Sequence, residues 1–437
     1  MILLYNIILL LGLILGSPVI VPLVLTSKKR RATALKRLGV GVTSGKHGHF
    51  ERRDSGKQVL WVHALSVGEV VSAVPLVKAI KERFKKAEIC FSASTLTGFE
   101  TATDLLKADV RQLFYFPFDL IFSVRAVANS IQPDLVIVVE TDIWPNFLME
   151  MKRRRVPVLL VNARLSEESF KGYRRLFHFF ENVLSGFSKI CAQSEQDAQR
   201  FISLGVKKRD IAVTGSVKFD QVYESDTRED IERLRRQLRI LPEQKVFLAG
   251  STHEGEEKIL IDVFRQIKKR PEECRFIVVP RNPERALPVR KLFEEAGFTV
   301  RLFNKFVVRD TEIDYDVLIV DVIGVLRKLY TLADIAFVGG SLVPSGGHNP
   351  IEPAAFSKPI LFGPDMSDFE DISRMLLDSG GAISVRNTKG LYEAAAELLS
   401  DKKKAHEMGS SAFNVLNANK GALERTLNIV LRYLKET

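Results

Sequence analysis

The chain has 437 residues, of which 46% are hydrophobic and 27% are charged. This length allows about three domains or two large ones, and the balance of apolar and charged residues excludes wholesale disorder. A mean hydropathy of only +0.03 excludes a polytopic membrane protein. Lysine and arginine number 64 against 53 acidic residues, a net charge of +11 that favours an anionic partner such as a membrane, a nucleic acid or a phosphorylated substrate.

The first segment predicts a membrane anchor at residues 1–27. Ile2 to Leu25 carry no charge, and a helix of this length would extend about 36 Å, against about 30 Å for a bilayer core. The basic run Lys28 to Arg31 follows directly, which by the positive-inside rule places the rest of the chain in the cytoplasm. A cleavable signal peptide would need basic residues before the apolar run. Pro18 and Pro22 leave open a kinked or shallow helix that does not span the bilayer.

From Val59 onward, short apolar runs alternate with longer amphipathic segments, which is the pattern of a parallel sheet covered by helices on both faces. The predicted strands of the first half are Val59–Val62, Glu88–Ala93, Leu135–Val139, Val158–Val161, Lys189–Ala192 and Ile211–Val213. Long helices are predicted at Glu69–Phe84 and Ser166–Phe187.

The charged stretch 221–241 predicts a linker helix between two domains, 28–220 and 242–437. The predicted strands of the second half are Val246–Leu248, Phe276–Val279, Thr299–Leu302, Val317–Val320, Ile335–Val338, Pro359–Leu361 and Ala382–Val385. We therefore expect an α/β protein with two Rossmann-like, doubly wound domains facing a cleft.

Ligands of such sheets bind at the carboxyl ends of the strands, and polar residues stand there in the first domain. Glu69 falls in the first turn of a helix after a strand, so it is either a catalytic carboxylate or an ordinary partner of the helix dipole. Glu140 opens an acidic, tryptophan-containing turn that packing alone explains poorly. Lys218 follows another strand and is a cleft candidate; the alternative is an exposed charge balanced by Asp220.

The second domain has glycine-rich turns after two of its strands. Backbone amides of the turn at Gly250 could bind a phosphate, and Arg281 could bind the same phosphate or a base. Glu352, after a second glycine loop, could accept hydrogen bonds from two ribose hydroxyls; the alternative is a proline-stopped loop. The P-loop ending and the three-glycine dinucleotide fingerprint are both missing, so ATPase and dehydrogenase activities lose their main support.

Other functions have less support. The three cysteines, Cys90, Cys191 and Cys274, are far apart in apolar stretches and predict buried thiols rather than disulfides. The seven histidines suggest no metal-ligand set, so we expect no metal and no cofactor. The densest basic run flanks the apolar segment, where anionic lipid explains it better than nucleic acid does.

Seven pieces of the chain, in order, resemble the Kdo transferases of lipopolysaccharide assembly, which transfer 3-deoxy-D-manno-octulosonic acid (Kdo) from CMP-Kdo to a lipid A precursor. These pieces are Trp61–Glu69, Glu140–Asn146, Asn162–Ser166, Gly215–Asp220, Gly250–Glu256, Val279–Arg281 and Gly346–Glu352. The resemblance covers nearly the whole chain, including the apolar N-terminus. It implies a GT-B fold, with an acceptor-binding domain at 28–220 and a donor-binding domain at 242–437.

The same resemblance implies that Glu69 is the general base and that Glu140 and Lys218 stabilise the transition state. The CMP site that it implies consists of Pro280, Arg281, Ile323, Gly324, Val325, Asn349, Pro350, Ile351 and Glu352. The reading of the residues themselves adds Gly250, Ser251, Thr252 and His348 to the nucleotide site.

The chain departs from the family pattern at three places. Asp142 stands where many members have a glutamate, which puts a direct role for this shorter carboxylate in doubt. Ile323-Gly324-Val325 replaces Met-Gly-Glu, so a side-chain contact is lost while backbone contacts can persist. Gly39-Val40-Gly41 replaces Gly-Glu-Arg.

The resemblance implies an inverting, metal-independent transfer of Kdo from CMP-Kdo to lipid IVA on the cytoplasmic side of the inner membrane. An anionic membrane surface is the expected partner, with no nucleic acid and no obligate protein partner. Two alternatives stay open: another membrane-associated GT-B enzyme that uses a UDP-sugar, and a non-catalytic, membrane-anchored nucleotide-binding protein. The motifs do not fix how many Kdo residues are added.

Overall fold

The computed structural model describes residues 2–39, 57–220, 227–271, 273–304 and 314–436. They form two compact α/β units. The first comprises Met1–Gln221 together with Lys420–Thr437, and the second comprises Val222–Asn419.

The first unit contains a parallel sheet of seven strands. They are β1 (Gln58–Ala64), β2 (Ala87–Ala93), β3 (Gln112–Tyr115), β4 (Leu135–Val139), β5 (Val158–Ala163), β6 (Lys189–Ala192) and β7 (Ile211–Val213). Their order is β3-β2-β1-β4-β5-β6-β7, so the winding direction reverses between β1 and β4. In open α/β sheets this reversal opens a crevice at the carboxyl ends of the strands, where ligands bind.

Nine helices precede or connect these strands in the described part of this unit. They are α1 (Ile2–Thr26), α2 (Lys28–Arg37), α3 (Val67–Arg83), α4 (Leu96–Leu106), α5 (Ile121–Ile131), α6 (Pro145–Arg154), α7 (Glu167–Arg175), α8 (Phe177–Leu184) and α9 (Glu195–Ser203).

Successive residues of β1 point to opposite faces of the sheet, and both faces are covered. Leu60 and Val62 pack with Val70 and Leu76 of α3, while Trp61 packs on the other face with Phe147 of α6. A strand buried on both faces must be apolar at nearly every position, which explains the continuous apolar runs of the sequence.

The second unit is also a parallel sheet of seven strands connected by helices. Its strands are β8 (Lys245–Thr252), β9 (Cys274–Pro280), β10 (Val300–Leu302), β11 (Val317–Ile319), β12 (Ile335–Val338), β13 (Ile360–Phe362) and β14 (Ala382–Ser384), all parallel in the order β10-β11-β9-β8-β12-β13-β14. Its helices are α10 (Arg228–Gln237), α11 (Glu256–Ile267), α12 (Ala286–Glu295), α13 (Leu326–Tyr330), α14 (Ile351–Ala355), α15 (Glu370–Asp378), α16 (Thr388–Ser400) and α17 (Lys402–Asn419). The structure thus confirms two Rossmann-like, doubly wound domains.

Four elements differ from the prediction, the C-terminal helix being the last of them. Strand β3 was not predicted; it is a four-residue edge strand, too short for a clear pattern. The predicted helix Ser166–Phe187 is two helices, because the backbone leaves the helical conformation at Leu176. In the predicted linker, residues 221–226 lie outside the described residues, while Leu234 and Leu238 of α10 pack into the core of the second unit.

The C-terminal helix α18 (Ala422–Glu436) belongs to the first unit, although the prediction placed it in the second domain. Its side chains Leu427, Val430 and Leu434 join the core of β1 and α3. The carboxylate of Asp220 accepts hydrogen bonds from the backbone N–H groups of Gly421 and Leu423, both at 2.5 Å, and so fixes the start of the helix. Apolar periodicity gives a helix its buried face but does not show which domain that face contacts.

Helix α1 runs without a break through Pro18 and Pro22. Its segment Ile2–Val19 is long and apolar enough to cross a membrane, a property that signal sequences share. The first turn packs on the first unit, since the Tyr5 hydroxyl donates a hydrogen bond to Asp119 at 3.0 Å. Beyond that turn the apolar side chains are largely exposed, with Leu15 77% exposed.

Candidate active site

Glu69 lies in the first turn of α3, two residues after Val67 begins the helix. Its Oε2 accepts hydrogen bonds from the backbone N–H groups of Leu65 and Ser66, as an N-terminal capping carboxylate does. Burial and the negative charge of Glu140 nevertheless raise the pKa of Glu69 to about 7. A carboxylate that only caps a helix would have a lowered pKa, so the environment of Glu69 does more than cap α3.

Glu140 is the first residue after β4 and adopts a left-handed backbone conformation with φ of 61°. Such a conformation is unfavourable for a residue with a side chain and is concentrated at functional sites. The Nζ of Lys218 lies 3.7 Å from Glu140 Oε1. The structure therefore brings together the two residues that the sequence paired only by resemblance.

Asn162 connects these two residues. It is fully buried at the penultimate position of β5, with φ of 54°, and its Nδ2 donates a hydrogen bond to Glu140 Oε1 at 3.3 Å. Its Oδ1 accepts a hydrogen bond from the backbone N–H of Val217 at 3.1 Å. One amide thus fixes both Glu140 and the turn that carries Lys218.

The alternative reading of Lys218, an exposed charge balanced by Asp220, does not fit this geometry. Asp220 uses both carboxylate oxygens to start α18, while the side chain of Lys218 is 23% exposed and pairs with Glu140.

Asp142 lies two residues beyond Glu140 and is hydrogen-bonded to a buried histidine of β1. The Nε2 of His63 lies 2.9 Å from Asp142 Oδ2, and His63 stacks on Phe116 with ring centroids 3.8 Å apart. The negative charge of Asp142 also contributes to the raised pKa of Glu69. The sequence left a direct role for Asp142 in doubt, and the structure places it among the charged groups of this site.

Arg37, the last residue of α2 and six positions beyond the basic run Lys28 to Arg31, is part of the same surroundings. Its Nε donates a hydrogen bond to the carbonyl oxygen of Phe116 at 3.0 Å, and its guanidinium lies 4.3 Å from the ring centroid of Phe118. Burial lowers the pKa of Arg37, and the negative charge of Asp142 opposes this. Arg37 therefore acts within the protein rather than at a lipid surface.

Two buried polar atoms belong to loops that leave these strand ends. Ser94 follows β2, Trp144 follows Asp142, and neither Ser94 Oγ nor Trp144 Nε1 has a hydrogen-bond partner in the described part of the chain. Buried polar atoms normally have partners, so these two are exceptions close to the strand ends.

In the second unit, the glycine turns are organised around Glu256. Its buried carboxylate accepts hydrogen bonds from the backbone N–H groups of Gly340, Ser341 and Leu342 at 2.7 to 3.0 Å, and from His253 at 2.9 Å. These amides, which could have held a phosphate, already have an anionic partner inside the protein.

The glycine at position 250 is required by packing. A Cβ atom there would lie 2.3 Å from the hydroxyl oxygen of Tyr330, so no larger residue fits without rearrangement. Ser251, next in the chain, has a left-handed backbone with φ of 56°. The Thr252 hydroxyl donates a hydrogen bond to Glu257 Oε1 at 3.0 Å. A phosphate contact of Gly250, Ser251 and Thr252 stays a prediction.

The remaining nucleotide-site candidates form a group of charged and aromatic residues. Burial, together with the positive charge of Arg281, lowers the pKa of His348 to about 4. Burial raises the pKa of Glu352, and the charges of Arg281 and Arg327 oppose this effect. The neutral His348 shares a hydrogen bond with His253, with 2.8 Å between their Nε2 atoms. Arg281, on the loop after β9, therefore lies close enough to act electrostatically on His348 and Glu352, which belong to the segment that leads into α14.

Four other predicted contacts lie on these two segments, and three lie on a third loop between β11 and α13. Pro280 ends β9, Pro350 precedes α14, Ile351 begins it and is buried, and Asn349 Oδ1 accepts a hydrogen bond from the Ile351 N–H at 3.1 Å. Ile323 is 86% exposed, Gly324 is left-handed with φ of +89°, and Val325 precedes α13.

The expectation that the chain has no Asp-x-Asp pair for a divalent ion is wrong, because Asp314-Tyr315-Asp316 is one. These carboxylates pair with Arg275 and with Lys268, respectively. They precede β11, at the amino end of that strand, whereas the nucleotide candidates follow the carboxyl ends of strands. This pair therefore does not supply a metal site among the candidates.

Sequence reasoning missed His63, Asn162, Arg37 and Glu256 as parts of the sites. For His63 and Asn162 a signal was available, because each is a polar residue within or next to an otherwise apolar strand. Their partners, Ser92 and Val217, are 29 and 55 positions away, and such contacts follow only from the order of the strands.

Two doubly wound parallel sheets, each with ionisable residues beyond the carboxyl ends of its strands, define a protein of the GT-B class. Agreement in fold extends to the crystal structure of a glycosyltransferase from Rickettsia africae, with a TM-score of 0.56 at 15% identity, covering 87% of this chain and 100% of that one.

Sequence comparison specifies the family. A family model described as 3-deoxy-D-manno-octulosonic-acid transferase (kdotransferase) matches residues 36–221. The 3-deoxy-D-manno-octulosonic acid transferase of Haemophilus influenzae is 36% identical over 383 residues, which cover 86% of this chain and 88% of the relative. The enzyme of the same name from Rickettsia bellii is 31% identical over 405 residues, covering 91% and 92%. The chain belongs to the Kdo transferase family, which confirms the resemblance seen in the sequence.

Proposed function

We propose that this protein transfers Kdo from CMP-Kdo to the lipid A precursor lipid IVA with inversion at the anomeric carbon, and that Glu69 is the general base. The observation that carries this proposal is the environment of Glu69, whose pKa of about 7 suits proton transfer at neutral pH. Membership of the Kdo transferase family supports the choice of sugar.

In the proposed reaction, the ionised Glu69 accepts the proton of an acceptor hydroxyl as its oxygen attacks the anomeric carbon of Kdo. The bond from that carbon to the phosphate oxygen of CMP breaks, and CMP leaves with the electron pair. The anomeric carbon becomes oxocarbenium-like in this step. Glu140 and Lys218, held by Asn162, provide fixed charges that stabilise this transition state.

The second unit binds the donor in this proposal. Arg281 offers a guanidinium to the phosphate of CMP, and Glu352 offers a carboxylate to the ribose hydroxyls. Two positive charges, Arg281 and Arg327, act on Glu352 and can stabilise the leaving phosphate in the absence of a metal ion.

Helix α1 anchors the protein to the cytoplasmic face of the inner membrane, where an acylated acceptor is found. Its length, its apolar composition and the exposure of its side chains support this assignment. Carbonate extraction of membranes tests it: the full-length chain should stay in the pellet, and its appearance in the supernatant would contradict anchoring.

The reaction itself is tested with the purified full-length protein in detergent, CMP-Kdo and lipid IVA, with mass spectrometry of the lipid product. We expect the mass of lipid IVA to increase by one or more Kdo residues, and the number of additions gives the multiplicity. A UDP-sugar in place of CMP-Kdo is the control for the donor. Modification from the UDP-sugar alone would favour a different GT-B enzyme, and nucleotide binding without any transfer would favour a non-catalytic protein.

A further inference from the structure

A buried chain of hydrogen bonds runs along one face of the first sheet and ends at Asp142. Trp61 Nε1 donates a hydrogen bond to Ser92 Oγ at 2.7 Å. Ser92 Oγ lies 3.0 Å from His63 Nδ1, and His63 Nε2 lies 2.9 Å from Asp142 Oδ2. Trp61, Ser92 and His63 are fully buried, whereas the Asp142 side chain is 14% exposed. The chain therefore begins in the core and ends at the site surface.

The hydrogen-bond partners of His63 determine which of its ring nitrogens carries a proton. A carboxylate oxygen only accepts hydrogen bonds, so Nε2 must carry the proton that it donates to Asp142. In the neutral imidazole, Nδ1 accepts a hydrogen bond from the Ser92 hydroxyl. The oxygen of that hydroxyl in turn accepts a hydrogen bond from Trp61 Nε1. If His63 is protonated, Nδ1 can donate instead to the carbonyl oxygen of Ser92 at 3.1 Å. The bond to Asp142 is kept in both charge states.

This arrangement engages only one oxygen of Asp142. In the described part of the chain, Oδ1 of Asp142 accepts no hydrogen bond, while Oδ2 is occupied by His63. The charged and titratable groups that interact electrostatically with Asp142 are His63, Arg37, Glu69, Asp119 and Tyr173. A carboxylate held on one side and open on the other is suited to bind a hydroxyl group.

We propose that Asp142 binds a hydroxyl of the acceptor sugar through Oδ1 and that His63 is the positioning residue that orients it through the buried chain Trp61–Ser92–His63. This inference rests on the proposed function, since the acceptor it names is the substrate of Glu69. It also accounts for a histidine near the end of a buried strand, where an apolar residue would otherwise pack.

Steady-state kinetics of the full-length protein test the proposal. Asp142→Asn should raise KM for lipid IVA about tenfold, with a smaller change in kcat, because a hydrogen bond to a charged acceptor is lost. His63→Leu should have a similar effect. His63→Gln should recover most of the loss, because the amide nitrogen of glutamine can occupy the position of Nε2. Asp104→Asn, an exposed change on α4, is the matched control and should leave KM unchanged.

The double variant and the donor distinguish positioning from damage to the fold. If His63 acts only through Asp142, the combination of His63→Leu with Asp142→Asn should be no worse than the poorer single variant within about twofold. The affinity for CMP should stay at the parent value in all variants. Equal losses for His63→Leu and His63→Gln, or an unchanged KM in Asp142→Asn, would overturn the proposal.

The pH profile and NMR add readouts that a structural role would not change. Removal of the Asp142 charge should lower the apparent pKa of kcat/KM, because this charge raises the proton affinity of Glu69, with Glu140 the other acidic neighbour that does so. In ¹⁵N-histidine spectra of the parent, His63 should carry its proton on Nε2, whether or not the protein transfers Kdo. A neutral His63 protonated on Nδ1 would refute the buried chain. Failure of the parent to modify lipid IVA would refute the proposed function instead.

Discussion

Both units are built on a parallel sheet of seven strands, with a different strand order at one edge, but the residues at the ends of their sheets are opposite in character. The first gathers carboxylates, with Glu69, Glu140 and Asp142 close enough that the last two raise the pKa of the first. The second gathers positive charge from Arg281 and Arg327 around Glu352, the one acid among its nucleotide candidates. One sheet end is therefore suited to take up a proton and the other to hold an anion.

The two sheet ends also differ in the partners and the conformation of their backbone. In the second unit, the amides of the glycine turn bind Glu256, so an internal anion fixes the loop before any ligand arrives. In the first unit, Glu140 and Asn162 hold left-handed backbones where glycine would be the easier residue. Ser251 of the second unit is also left-handed, with φ of 56°, so strained positions occur at both ends; at the first end two of them, Glu140 and Asn162, are hydrogen-bonded to each other.

The largest expected effect separates the two ends most clearly. Glu69→Gln keeps the size of the side chain and an oxygen for the amides of Leu65 and Ser66, but it cannot accept a proton. Single-turnover Kdo transfer should fall by about 10²–10⁴, the range for loss of a general base, while CMP affinity stays unchanged. Glu82→Gln, at an exposed position of the same helix, is the control. A folded Glu69→Gln protein that transfers at the parent rate would remove Glu69 from the mechanism.

The fold was largely predictable from the sequence, because its signal is local. Thirteen of the fourteen strands follow from apolar runs, and a run such as Leu135–Val139 is apolar because both faces of its sheet are covered. The errors lie where a local pattern does not determine the partner. Strand β3 pairs only with β2 at the sheet edge, and the apolar stripe of α18 fits either domain equally well by pattern.

The site was predictable only in part. Glu69, Glu140 and Lys218 follow strands, so topology alone suggests that they lie on one side of a sheet, and the structure shows the ion pair of the last two. The raised pKa of Glu69 was not predictable: its helix position argues for a lower pKa, and burial beside Glu140 reverses the sign.

The donor end is tested with Arg281→Ala. Loss of a charge-assisted contact to phosphate should cost about 1.5–3 kcal/mol, or roughly 10- to 150-fold in CMP affinity measured by calorimetry. Cytidine, which lacks the phosphate, should bind almost equally well to the parent and the variant. Glu352→Gln should weaken both ligands, because both contain the ribose. Equal losses of CMP and cytidine in Arg281→Ala would place Arg281 away from the phosphate.

The pH dependence of kcat/KM tests the role of Glu69 at the end of the first sheet. Only the ionised form of Glu69 accepts a proton, so kcat/KM should rise about tenfold per pH unit below about 7 and level off above it. The residual kcat/KM of Glu69→Gln should lack this rise with pH. A profile without an inflection near neutral pH would show that another group controls the reaction.

Stability should vary with pH in the matching direction. A carboxyl whose pKa is raised by folding contributes stability below its unfolded pKa, and this contribution is lost as the pH rises through about 7. Denaturant titrations should therefore show Glu69→Gln gaining stability relative to the parent between pH 5 and pH 8. A carboxylate that only caps α3 would have a lowered pKa and would be fully ionised throughout this range, so the variant would then be less stable than the parent by the same amount at pH 5 and at pH 8.

The smallest expected effect is that of metal removal. CMP is a monophosphate leaving group, and the positive charges around Glu352 can offset its charge, so the rate of Kdo transfer should be unchanged by EDTA. The Asp314–Asp316 sequence is a ready objection, but its carboxylates pair with Arg275 and Lys268 before β11 begins. Transfer measured in EDTA, and again after addition of magnesium, tests the point directly. A loss in EDTA that magnesium reverses would mean that the donor end binds its anion with a metal ion, and the contrast between the two sheet ends would have to include that ion.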